Sequence, residues 1–186
     1  MTKTAKAKSF ILCMLFVAAL VAFDQYTKQL AVKYLMGKED FTIIKDVLVL
    51  RFLEGGNRGG AFGILYGQRY FFLAIAVIFI LLMIYFLIRL PAMPKYRILR
   101  FFICMITAGA IGNFIDRFQN GSVVDFIYVI YINFPIFNVA DIYVTVSSFA
   151  LAILILFVYK EDDLNMKKAN DPRLHLHSSM VKDDNE

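Results

Sequence analysis

Residues Tyr70–Leu90 read YFFLAIAVIFILLMIYFLIRL, apolar except for Arg89, and the run closes with Pro91 and Pro94. At about 1.5 Å per helical residue this run covers the roughly 30 Å of hydrocarbon in a bilayer, so it reads as a transmembrane helix. The rest of the chain agrees. Of its 186 residues 60% are hydrophobic, with 19 Phe and no Trp, and mean hydropathy is +0.64. That is too apolar for an ordinary soluble domain of this size. The expected fold is an all-α membrane protein of one structural unit.

Two more spans follow Pro94. One covers about 98–115, with Gly109, Gly112 and Asn113 towards its far end to allow close backbone approach. The other covers about 138–159, with Asp141 in its first turn. Before the central run, Lys3, Lys6 and Lys8 precede an apolar stretch from Phe10 to Phe23. No small-x-small cleavage pattern follows it, so an uncleaved first helix is expected. That stretch alone is too short to cross, so the helix must continue through Asp24-Gln25-Tyr26-Thr27-Lys28 to about residue 34. Asp24, Thr27 and Lys28 then share one face, the carboxylate can pair with the ammonium, and this face must look into a bundle or a wet cavity.

Four spans put both termini on one side. Arg89, Lys95, Arg97 and Arg100 lie around the loop between spans two and three with no acidic residue, and the N-terminus is also basic, so both termini are expected to be cytoplasmic. The net charge of +5 comes from residues beside apolar runs, so it does not indicate nucleic acid. The long loop at about 40–66 contains FTIIKDVLVLRFL (41–53) followed by Glu54-Gly55-Gly56-Asn57-Arg58-Gly59-Gly60. It reads as strands around a glycine turn, a small extracytoplasmic β element. The polar segment 161–186 is expected to be a disordered cytoplasmic tail, with His175 and His177 a solvated pair. Cys13 and Cys104 lie in separate apolar segments and give neither a disulfide framework nor metal-ligand spacing.

Asp24, Asp116, Asp125 and Asp141 all fall at the extracytoplasmic end. A carboxylate at membrane depth is costly, so it is expected to be paired, water-facing or functional. Asp125 and Asp141 flank one short loop that can return them to the same surface, where two facing carboxylates share a proton and titrate as a unit. Such a dyad can take a proton from a water attacking a peptide carbonyl and then protonate the leaving amine. Each acid also has a structural reading: Asp141 as a helix N-terminal charge, Asp116 as an ion pair with Arg117, and Asp24 as a fixed partner of Lys28. Asn57, Asn113 and Asn138 are near the same surface and can hold a dyad or a substrate backbone by hydrogen bonds. The same acids in a small proton or cation transporter subunit would be spread along a pathway. A non-enzymatic assembly or lipid-binding protein would tolerate Asp125→Asn or Asp141→Asn with its function intact.

Four stretches together resemble the lipoprotein signal peptidase (signal peptidase II) family: Asp24-Gln25-Tyr26-Thr27-Lys28; Asn57 through Gly63; Gly112-Asn113-Phe114-Ile115-Asp116-Arg117 continuing to Gly121-Ser122-Val123-Val124-Asp125-Phe126; and Phe137-Asn138-Val139-Ala140-Asp141. The resemblance covers roughly Phe10 to Tyr159. It implies a bacterial inner (cytoplasmic) membrane aspartic endopeptidase that cleaves diacylglyceryl-modified prolipoproteins just before the lipidated cysteine. No cofactor or metal is implied, and the chain is expected to act as a monomer among membrane lipids. Matched by motif, Asp125 and Asp141 are the catalytic pair, and Asn113, Arg117 and Asn138 orient it. Asp24, Lys28, Asn57 and Gly59 line or shape the site, and Asp116 is a motif acid outside the pair. The family also carries an extracytoplasmic β cradle and is associated with the inhibitor globomycin. Gly60 departs from its usual Ala, which implies a more mobile cradle.

Overall fold

The computed structural model describes residues 3–59, 65–159 and 163. Helix α1 spans Lys3–Leu35, strands β1 and β2 span Phe41–Ile44 and Leu48–Leu50, and helix α2 spans Arg69–Arg89. Helix α3 spans Arg97–Asn120, strand β3 Ile127–Val129, and helix α4 Val139–Ile153, continued by a wider π-type turn over Leu154–Val158. Among the described residues, four helices are thus long and apolar enough to cross a membrane. Residues 60–64 of the glycine-rich stretch lie outside the described residues, as do 160–162 and 164–186 with His175 and His177.

Helix α1 runs without interruption through Asp24 and Lys28, as the short apolar run required, and it begins at Lys3, earlier than expected. Helix α2 has no interior Gly or Pro and stops where Leu90 turns extended ahead of Pro91, since a residue before proline is disfavoured in α geometry. Helix α3 goes beyond residue 115 by more than a turn and ends on the left-handed Gly121, whose N–H reaches Arg117 O. The extension carries Asp116 and Arg117 inside the helix.

Helix α3 is central, packed against each of the other three. Cys13, Val17, Leu87, Leu99, Ile103, Cys104, Ala108 and Tyr143 form the main core. Close approach depends on missing side chains: a Cβ on Gly112 would collide with the Asp24 carboxylate, and one on Gly109 with Ala140 O on α4. In a bilayer, where apolar burial does not drive helices together, such close backbone packing is a main source of association.

The three strands form one antiparallel sheet in the order β1-β2-β3. Phe41 pairs with Leu50, and Leu50 with Ile127. Two features differ from the sequence reading. First, β3 comes from the segment before α4, outside the 40–66 loop that was expected to hold all the β structure. Second, the chain reverses at Lys45–Val47, where Asp46 takes the left-handed conformation (φ 60°), and not at the glycines. Aspartate tolerates that conformation better than most residues. Gly55 and Gly56 form a separate turn that delivers Asn57 to an isolated bridge with Val123. The sheet rests on the end of α1 through Ala31, Leu35 and Phe126.

Candidate active site

The site forms where α1, α3 and α4 meet the extended segments 51–57 and 123–127. Asn138 starts α4 as its N-cap: its side chain accepts from Asp141 N at 3.0 Å while its own N–H donates to Asp141 Oδ2 at 3.1 Å. This reciprocal pair is a capping box, so Asp141 does serve the helix terminus. Its other oxygen, Oδ1, accepts from Asn113 Nδ2 at 2.8 Å. The side-chain nitrogen of Asn138 then donates to Asp125 Oδ1 at 2.6 Å, and Asn57 Nδ2 donates to Asp125 Oδ2 at 2.9 Å. Both carboxylates are therefore gripped at both oxygens, with Asn138 common to them.

Asp24 and Asp116 sit behind this pair. Lys28 Nζ lies 2.9 Å from Asp24 Oδ2 and 3.0 Å from Asp116 Oδ2, and it donates to Asn113 Oδ1 at 3.0 Å. Asp24 Oδ1 accepts from Ala140 N at 2.9 Å, and Asp116 Oδ2 accepts from Val124 N at 3.1 Å. Each inner acid thus holds the backbone N–H immediately before one of the outer acids, Asp141 and Asp125. Lys28 ties the two anchors together, and the network is almost wholly buried: Asp24 and Asn138 are 0% exposed, Asp125 1% and Lys28 2%.

Three placements were not foreseen. Asp116 does not pair with its neighbour Arg117; successive helix residues point about 100° apart, so they meet different partners. Arg117 donates instead to Gly59 O at 3.0 Å and lies over the Phe72 ring at 4.8 Å. Gly59 N in turn donates to Asn57 Oδ1 at 2.9 Å, so Arg117 and Gly59 shape the loop that carries Asn57. Gln25, to which the sequence reading assigns no role, donates its amide to Asp116 Oδ1 at 2.9 Å and to Gly112 O at 3.2 Å, joining α1 to α3. A long polar side chain within an otherwise apolar helix was the available signal.

A groove of about 590 Å³ opens over the site, lined by Asn57, Arg58, Tyr66, Arg117, Asp141 and Val144 among others. Asp141 faces it while Asp125 is set deeper. A wider groove of about 1020 Å³, between the end of α1 and the sheet, does not touch the carboxylates. Asp125 lies outside the helices, and its carboxyl is pushed up to about 7, by burial first and the Asp141 charge second, against the hydrogen bonds from Asn57 and Asn138. At neutral pH the pair can therefore hold one proton between two carboxylates, an arrangement able to activate a water and to protonate a leaving group.

A family model described as signal peptidase (SPase) II matches residues 16–157. The chain belongs to the signal peptidase II family. It is 42% identical over 147 residues to the lipoprotein signal peptidase of Caldanaerobacter subterraneus subsp. tengcongensis, a match covering 78% of this chain and 97% of that one. It is 41% identical over 152 residues to that of Brevibacillus brevis, covering 81% and 97%. A solved bacterial membrane enzyme, determined by the in meso method at 2.3 Å, superposes with a TM-score of 0.67 at 34% identity, covering 81% of this chain and 92% of that one. As a signal peptidase II family member the chain is a membrane peptidase. Its four acids interlock at one end of the bundle instead of lining a path through it, which disfavours a transporter.

Proposed function

We propose that this signal peptidase II family member is an aspartic endopeptidase that removes signal peptides from diacylglyceryl-modified prolipoproteins, just before the lipidated cysteine. Asn138 bonded to both Asp125 and Asp141 carries this reading, because it holds the two carboxylates in one unit. In the reaction the ionised member takes a proton from a water lying between the carboxylates as that water attacks the scissile carbonyl. The protonated member gives its proton to the carbonyl oxygen; as the tetrahedral intermediate collapses, the member that took the water's proton delivers it to the leaving amine nitrogen and the hydroxyl returns its proton to the other member. Asn57 and Asn113 orient the pair, Gly59 and Arg117 shape the loop at the groove, and Asp24, Lys28 and Asp116 anchor the backbone beneath it.

The relatives named as lipoprotein signal peptidases support the substrate class. Both termini lie on the cytoplasmic side and the dyad at the extracytoplasmic face of the bacterial inner membrane, consistent with the basic residues at the opposite end. The peptidase unit covers residues 1–160, and the chain acts as a monomer. The substrate enters from the outer leaflet with its lipid still in the bilayer, which fixes its depth and orients the bond.

Cleavage of a diacylglyceryl-modified prolipoprotein by the purified full chain tests this reading. Asp125→Asn and Asp141→Asn should each lose about 100-fold or more of the rate, the scale of a lost general acid or base. Activity should survive chelators and stop with globomycin. Full activity in either variant would sink the dyad, and chelator-sensitive activity restored by metal would indicate a metallopeptidase.

A further inference from the structure

At the end of the bundle opposite the aspartates, a cavity of about 260 Å³ opens between α1, α2 and α3. Its polar lining is Lys6, Ser9 and Arg100, and its apolar wall includes Phe10, Leu87 and Ile88. Arg100 is half-buried, and its Nη2 donates to Pro91 O at 2.6 Å, which holds the guanidinium against the start of the loop between α2 and α3. Arg100 makes no ion pair with any described acidic residue. Lys8 and Arg89 are exposed on the same end, which makes the surroundings basic as well. A cationic mouth over an apolar wall, at the depth where helices leave the membrane, matches a glycerophospholipid: charge for the headgroup, apolar surface for the start of an acyl chain.

We propose that this cavity is a binding site for an anionic glycerophospholipid, with the lipid phosphate at Lys6, Ser9 and Arg100 and an acyl chain along Phe10, Leu87 and Ile88. Basic pockets between transmembrane helices recognise acidic headgroups in this way, and each cation contributes about a fivefold preference. The site lies far from the dyad and does not depend on what that dyad cleaves. A lipid bound there joins α1 to α2, whose direct packing is sparse.

Native mass spectrometry of the detergent-purified full chain, with phosphatidylglycerol and phosphatidylcholine added in equal amounts, tests the proposal. The wild type should retain phosphatidylglycerol in preference, and inorganic phosphate at millimolar concentration should not displace it. Lys6→Gln and Arg100→Gln should each reduce the preference about fivefold, while Arg97→Gln, outside the cavity on the same end, should leave it unchanged. Arg100 also supports the loop, so if Arg100→Gln fails to fold, Lys6→Gln alone decides. Equal retention of the two lipids, an unchanged preference in Lys6→Gln, or an equal loss in Arg97→Gln would overturn it.

Discussion

Asn138 donates its side-chain N–H to Asp125 at 2.6 Å while its backbone N–H holds Asp141 at 3.1 Å. One residue thereby caps α4 and spans the two carboxylates, so helix stability and dyad geometry share a cause. Asn138→Ala should lower stability by about 1 kcal/mol through the lost cap. It should also reduce turnover roughly 100-fold through misplacement of the pair. Thermal unfolding and prolipoprotein cleavage on the same preparation check both. Wild-type turnover with a lowered melting temperature would reduce Asn138 to a cap alone.

The pH profile should report on Asn57. Its hydrogen bond favours the charged form of Asp125 and so opposes the burial that pushes this carboxyl to about 7. In Asn57→Ala the carboxyl should rise further, moving the alkaline limb of kcat/KM to higher pH even as the rate falls. A limb that stays in place or moves down would show that Asp125 is not the group seen in the profile.

The same carboxyl makes stability depend on pH. Its folded value lies above the ordinary 3.8, so its contribution is fully present below that pH and is lost as pH rises through about 7. Thermal stability should therefore decline across this window, and Asp125→Asn should remove that part of the decline. An identical pH dependence in wild type and variant would count against the assignment.

Lys28 lies between Asp24 and Asp116, with almost no exposure of any of the three. Removing the cation leaves two buried carboxylates without a counter-charge, so Lys28→Met should destabilise by about 3–5 kcal/mol. Lys33→Met, on the same helix but exposed, should stay within about 0.5 kcal/mol. Chemical denaturation in detergent compares them, and similar losses would mean the buried network is not what Lys28 supports.

Gly112 touches the Asp24 carboxylate where α1 crosses α3. Gly112→Ala should cost about 1–3 kcal/mol by overpacking and should reduce activity, because Asp24 also holds Ala140 N beside the dyad. An unchanged melting temperature would show that the two helices can separate at no cost.

Much of this architecture was legible in the chain. Tyr70–Leu90 and the other apolar runs marked the spans because bilayer thickness imposes a length that hydropathy reports directly. The Asp24–Lys28 pairing followed from four-residue spacing on one helix. Asp125 and Asp141 stood out through the aspartate pattern and the resemblance of four motifs. The partner of Asp116, the role of Gln25 and the strand Ile127–Val129 were not legible. The strand is only three residues long, and its pairing needs a segment far away in sequence.

Four helices, a β element beside them and a set of acids at one end are written into the chain, because these depend on local length, spacing and motif. Only the packing in three dimensions shows that Lys28 serves two acids, that Asp24 holds Ala140 across 116 residues of chain, and that Asn138 bridges the two carboxylates from the N-cap of α4. The reason is the solvent. Outside the Asp24–Lys28 face of α1, the helices are apolar around most of their surface, so no polar stripe tells which side turns inward, and their rotation is set by close contacts such as Gly112 against Asp24.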